Sequence, residues 1–104
     1  MASVAVNATA DGDNTLIAAP GAGLCIVVFG FVLTGATTAG QAILKSSAGG
    51  TTHARLSLGT SDGVDIDADE RAPAFVCDAN AALVVNCATG QDVLGMIVYG
   101  IRNA

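Results

Sequence analysis

The sequence predicts an all-β fold, an antiparallel β-sandwich of jelly-roll type with about eight short strands. Three observations predict it. Clusters of Gly, Asn/Asp and Ser/Thr break the chain at short intervals, which is the spacing of a sandwich or barrel. The segments between the breaks are rich in Val, Ile, Leu and Phe, and β-branched and aromatic side chains fit a pleated surface. No window sustains the 3.6-residue apolar period of a helix. The expected organisation is one domain over residues 1–104, with residues 1–15 open to two readings, a first strand or an extended arm.

Taken in order, Ser3 to Ala8 is the first candidate strand, with Val4 and Val6 alternating against Ser3, Ala5 and Asn7. Asp11-Gly12-Asp13-Asn14 is a turn, because these residue types tolerate tight or left-handed backbone. Thr15 to Ala19 is a short strand ended by Pro20-Gly21, and Leu24 to Thr34 is a long one. Gly35 to Gly40 is a loop, Gln41 to Ser47 a strand, and Ser46 to Thr52 a small-residue turn around Gly49-Gly50. His53 to Leu58 alternates Ala54, Leu56 and Leu58 against His53, Arg55 and Ser57, the mark of a strand with one wet face. Gly59 to Glu70 is polar and acidic and reads as a loop. Pro73 to Cys77, Ala82 to Ala88 and Val93 to Arg102 supply the last three strands.

The run from Leu24 to Thr34 has no polar face. Strand alternation puts Leu24, Ile26, Val28 and Val32 on one side, with a gap at Gly30, and Cys25, Val27, Phe29, Phe31 and Leu33 on the other. Both sides need cover, from the subunit itself or from another. Val93 to Ile101 behaves alike. The subunit-interface candidates are therefore Leu24, Ile26, Val28, Leu94, Met96 and Val98.

Composition points the same way. Hydrophobic residues make up 52% of the 104 and charged residues 12%, against about 25% charged in ordinary domains. A small monomer so poor in charge leaves much apolar surface in water, and burial in an oligomer or larger particle resolves that. The net charge is -5, with Lys45, Arg55, Arg71 and Arg102 scattered as the only cations. That argues against nucleic acid as a partner, since phosphate binding needs clustered cations. The uncharged stretch 21–36 falls short of the ~20 residues of a spanning helix, so no membrane partner is expected. Cys25, Cys77 and Cys87 lie in apolar segments and read as buried free thiols. The first residues lack a charged start and apolar core, which with the cysteines fits synthesis in a reducing cytoplasm.

The acidic set Asp62, Asp65, Asp67 and Asp69, with Glu70, is the one constellation with possible metal chemistry. The alternating carboxylates from Asp65 resemble a calcium loop, but Glu70 stands where its glycine belongs and Val76 where its glutamate belongs. Those aspartates are weak metal candidates, and a solvated surface loop is the simpler reading. Asp11 and Asp13 read as turn residues. His53, the sole histidine, sits on the polar side of its strand and reads as exposed. It is the one base that a Ser or Cys nucleophile could use. With no phosphate-cradling glycine pattern followed by Lys-Ser/Thr, no catalytic residue, cofactor or enzymatic activity is expected.

Several segments repeat a known layout. Ala19-Pro20-Gly21-Ala22-Gly23-Leu24 leads into a strand that ends at Val32-Leu33-Thr34. Ala42-Ile43-Leu44-Lys45-Ser46-Ser47 carries a basic residue into a Ser/Gly turn, and Ala54-Arg55-Leu56-Ser57-Leu58 follows. Ala82 to Ala88 precedes a polar turn, and Gly95-Met96-Ile97-Val98-Tyr99 closes the chain. From Leu16 onward this order of strands and turns resembles the small all-β virion structural proteins of tailed bacteriophages, of the capsid decoration or cement type. It departs from them in carrying only Phe75 after the acidic loop and in that loop's heavier charge. The resemblance implies a homo-oligomer, a trimer, seated on the capsid surface of the virion. It would bridge major capsid protein subunits against internal DNA pressure. The competing function is a calcium- or carbohydrate-binding β-sandwich module, such as a head-fibre or receptor-adhesion component. Against it, the chain has no Trp, one Tyr and three Phe to stack on sugars.

Overall fold

The computed structural model describes residues 2–35, 40–59, 63–68 and 71–104. Among the described residues there are nine strands: β1 Ala2–Ala8, β2 Gly12–Ile17, β3 Leu24–Gly35, β4 Gly40–Ser46, β5 Thr52–Leu58, β6 Gly63–Asp67, β7 Phe75–Val76, β8 Leu83–Cys87 and β9 Val93–Asn103. They form two antiparallel sheets. The first has the order β1-β9-β3-β6, with β7 also on β3; the second has the order β2-β8-β4-β5.

This order is that of a jelly roll. β1 pairs β9, β2 pairs β8, β3 pairs β6 and β4 pairs β5, as in one long hairpin with its tip between β4 and β5. Rolling that hairpin up adds the pairs β3 with β9 and β4 with β8, which closes each sheet around a shared interior. The fold class expected from the sequence is the fold observed. β1 is a full sheet member, so the extended-arm reading of residues 1–15 is corrected; Val4, Val6 and Ala8 turn inward and hold it on the core.

One core lies between the sheets. Ile26, Val28, Phe31 and Leu33 of β3 and Val93 and Ile97 of β9 meet Ala42, Leu44, Leu58, Leu83, Val85 and Cys87 of the second sheet. Most of these side chains are wholly buried, each contributing about 1.5–3 kcal/mol relative to exposure.

Phe29 breaks the alternation of β3. Val28 lies opposite Tyr99 and Gly30 opposite Val98, so Phe29 is an extra residue, a β-bulge. Before it, the even-numbered residues Ile26 and Val28 face the core; after it, the odd-numbered Phe31 and Leu33 do. The two-faced division expected for the run therefore holds only as far as Val28. Ile26 and Val28 are core residues, fully shielded within the subunit, and are corrected as interface candidates. Leu24 is half-buried at the start of the strand.

The segment 59–70 is corrected from loop to strand in part. Residues 63–67 form β6, with Val64 and Ile66 alternating against Asp65 and Asp67. It adds to β3 from Gly30 to Thr34, and the backbone bonding of β3 outweighs the low strand propensity of aspartate. β2 starts three residues earlier than expected and ends two earlier. Asp13 and Asn14 lie in its ladder opposite Asn86 and Val85, and the Asn14 side-chain amide donates to the carbonyls of Ala10 and Gly12. The ladder of β7 holds only Phe75 and Val76. The N–H groups of Ala74, Cys77 and Asn80 nonetheless donate to Val28, Ile26 and Leu24, carrying the segment down the flank of β3.

Candidate functional site

The two outer faces of the sandwich differ in chemistry. On the second sheet the outer face is lined by polar and charged side chains, with Val84 buried and Ile43 half-buried among them. Asp13 of β2 accepts from the Asn86 amide at 2.8 Å and pairs with the Lys45 ammonium at 2.9 Å. Those two partners hold the Asp13 carboxyl below its ordinary value, Asn86 contributing most. Gln41, Arg55 and Ser57 share this face through the β4–β5 register.

The outer face of the first sheet is apolar across its middle, with Asp65 and Asp67 at its β6 edge. Cross-strand neighbours share a face, and two rows cross this one. Ala5, Met96, Val32 and Asp65 form the first row, and Ser3, Val98, Gly30 and Asp67 the second. Val32 is 43% exposed, Met96 48% and Leu94 37%. The Phe29 side chain lies over Gly100, where an added Cβ would come within 3.0 Å of its ring. It packs with Cys25, Val27 and Val98 into a small cluster separate from the core. Between this cluster and β6 runs an open cleft of about 280 Å³, walled by Val32 and Met96 and rimmed by Asp65 and Asp67.

Of the sequence-derived interface residues, Leu94, Met96 and Val98 lie on this outer face, whereas Ile26 and Val28 point away from it into the core. Phe29 and Val32 belong to the face and were not among the candidates. A one-residue bulge moves every later side chain to the other side, and regular alternation gives no warning of it. Among the weak metal candidates, Asp62 and Asp69 lie outside the described residues. Asp65 and Asp67 stand together, both exposed. Among the described residues no group of three or more His, Cys, Asp or Glu side chains is placed to hold a metal ion.

A polar cluster closes the edge between β5 and β7. The register jumps from Leu44 opposite Ala54 to Lys45 opposite Thr52, so His53 is itself a bulged residue. Its ring turns inward onto Phe75, with centroids 4.9 Å apart and planes within 4°. The expected exposed histidine is half-buried, and its burial lowers its pKa, with nearby Asp78 opposing. The Ser46 hydroxyl lies 2.7 Å from His53 Nε2 and also accepts the Asp78 N–H at 2.9 Å. Thr51 donates to the Asp78 carboxylate at 2.7 Å. This brings together the serine–histidine pair that a nucleophile would need, but Ser46 is fully shielded from solvent. Its oxygen already holds the chain together at two points.

The three thiols are free and buried, as expected. Burial pushes the Cys77 and Cys87 thiols up in pKa, so both stay protonated and poorly nucleophilic. Asp11, expected in a turn, accepts the Gly90 N–H at 2.8 Å and joins two loops. Among the described residues no helix is long and apolar enough to cross a membrane.

Comparisons with protein-family profiles, with curated protein sequences and with solved structures find no match to this chain.

Proposed function

We propose that this chain is a non-enzymatic structural protein of a virion. In this reading it is a capsid decoration protein that assembles as a homo-oligomer, a trimer, on the capsid surface. The observation that carries the reading is the inequality of the two outer faces. An antiparallel sandwich needs only its inner faces apolar, and among the described residues the second sheet exposes no large apolar side chain on its outer face. The first sheet exposes Val32, Leu94 and Met96 beside the Phe29 cluster, an apolar patch of the kind that marks an association surface. Sister subunits cover that face in the assembled protein, and the charged second sheet stays in water. The assembled unit then bridges neighbouring copies of the major capsid protein.

Light scattering on the eluting peak of a sizing column tests the first half. A trimer mass at micromolar concentration is expected, and a monomer throughout would overturn the reading. Co-sedimentation with purified tailed-phage heads stripped of their decoration protein tests the second half. Saturable binding is expected, and none at all would remove the capsid from the proposal.

A further inference from the structure

The outer face of the first sheet carries opposite charges at its two ends. Asp65 and Asp67 stand at one end, on β6. Arg102 stands at the other, opposite Cys25 and therefore on the same side of the sheet as the Phe29 cluster. Arg102 lies four positions beyond Val98 on β9, and the row of Val98 ends at Asp67. At ~3.3 Å per residue and ~4.8 Å per strand, that places the two ends about 16 Å apart, beyond the reach of an arginine side chain. Among the described residues, Asp65, Asp67 and Arg102 have no ion-pair partner.

Arg102 is the only cation in the strands of the first sheet, whereas Lys45 is already engaged with Asp13 on the second. The chain has a net charge of -5, so two copies repel unless their cations are placed against their acids. Burying Asp65 and Asp67 at an interface without a partner is strongly unfavourable. The face supplies its own answer, a guanidinium at the end opposite the carboxylates.

We propose that Arg102 of one copy pairs with Asp65 and Asp67 of the next, fixing how a second copy of this chain seats on the Val32–Met96 cleft. This inference rests on the self-assembly reading above and adds its register. The apolar cleft supplies attraction without direction. The charge pair supplies direction, and a ring of copies satisfies every such pair.

Charge reversal tests it on the full chain. The single variant Arg102→Asp and the double variant Asp65→Lys with Asp67→Lys should each raise the dissociation constant of the oligomer at least about tenfold. All three changes combined should restore assembly, because the pair is rebuilt with its signs exchanged. Unchanged near-ultraviolet circular dichroism confirms that each variant is folded. If the wild type is monomeric, the self-assembly reading and this inference fall together. If the wild type assembles and Arg102→Asp assembles equally tightly, only the charge pairing falls. If the lysine variant keeps its oligomeric mass but no longer binds phage heads, the acidic rim serves a basic patch on another chain, and the pairing is overturned.

Discussion

His53 stacks on Phe75 across the edge of the sandwich, the one ring reaching from the second sheet and the other from the first. The contact exists because both residues sit where regular pairing lapses. His53 is bulged out of the β4–β5 ladder, and Phe75 belongs to a two-residue strand laid against β3. Together they close the gap below β6, beside Phe31, whose ring centroid is 6.4 Å from that of Phe75.

That position makes stability depend on pH. Burial disfavours the imidazolium, so the His53 pKa in the fold lies below the ordinary 6.5, with the Asp78 charge opposing. The unfolded chain therefore binds a proton more readily than the folded one. The His53 contribution is complete above pH 6.5 and is lost as pH falls through the folded value. Denaturant midpoints should drop between pH 7 and pH 5, and His53→Gln should flatten that dependence. Asp13, lowered by Asn86 and Lys45, adds its own loss only near and below pH 3.8, so the two transitions are separable. A midpoint that rises on acidification from pH 7 would contradict this assignment.

Ser46 is the hinge of the same cluster. Its oxygen accepts the Asp78 N–H and meets His53 Nε2. Ser46→Ala leaves the N–H and the ring nitrogen without a partner in a shielded site, at a cost of about 1–3 kcal/mol. Ser46→Cys keeps a weaker acceptor and should lose less. Chemical denaturation of both variants checks the ranking.

The bulge at Phe29 gives a prediction that separates core from surface. Val28 is wholly buried, so Val28→Asp places an unpaired carboxylate in the core and should leave the protein unfolded at neutral pH. Met96 is half exposed on the outer face. Met96→Lys should hold stability to within about 0.5 kcal/mol while weakening self-association. Circular dichroism and light scattering on the two variants read the two effects independently.

Much of this architecture was legible in the chain, for identifiable reasons. Val4, Val6, Leu83, Val85 and Ile97 all alternate with residues of the other face, and a period of two shows directly in sequence. Turn residues such as Asn80, which adopts a φ of 51°, marked the breaks. Three features were not legible. β6 is rich in aspartate and is held by the pairing it makes with β3, a tertiary effect that propensity cannot register. The bulges at Phe29 and His53 arise from how two strands align, and neither strand alone encodes that. The outer face was half legible: Leu94, Met96 and Val98 follow from alternation, whereas Phe29 and Val32 follow only once the bulge is counted.

Gly95 supplies the sharpest test of the central strand pair. It lies in β9 between the exposed Leu94 and Met96, paired with Val6 on one side and Leu33 on the other. Its φ of 151° belongs to the region open to glycine, and an added Cβ would collide with the Val32 carbonyl oxygen. Gly95→Ala must therefore either strain the backbone or push β9 away from β3, the longest ladder in the molecule. The expected loss is at least about 2 kcal/mol. Gly90 is the control: it also has a positive φ, 76°, but an added Cβ there meets nothing within 4 Å. Gly90→Ala carries the conformational penalty alone, about 1 kcal/mol. Urea midpoints of the two variants decide the matter, and equal losses would show that the Val32 collision is relieved at no cost.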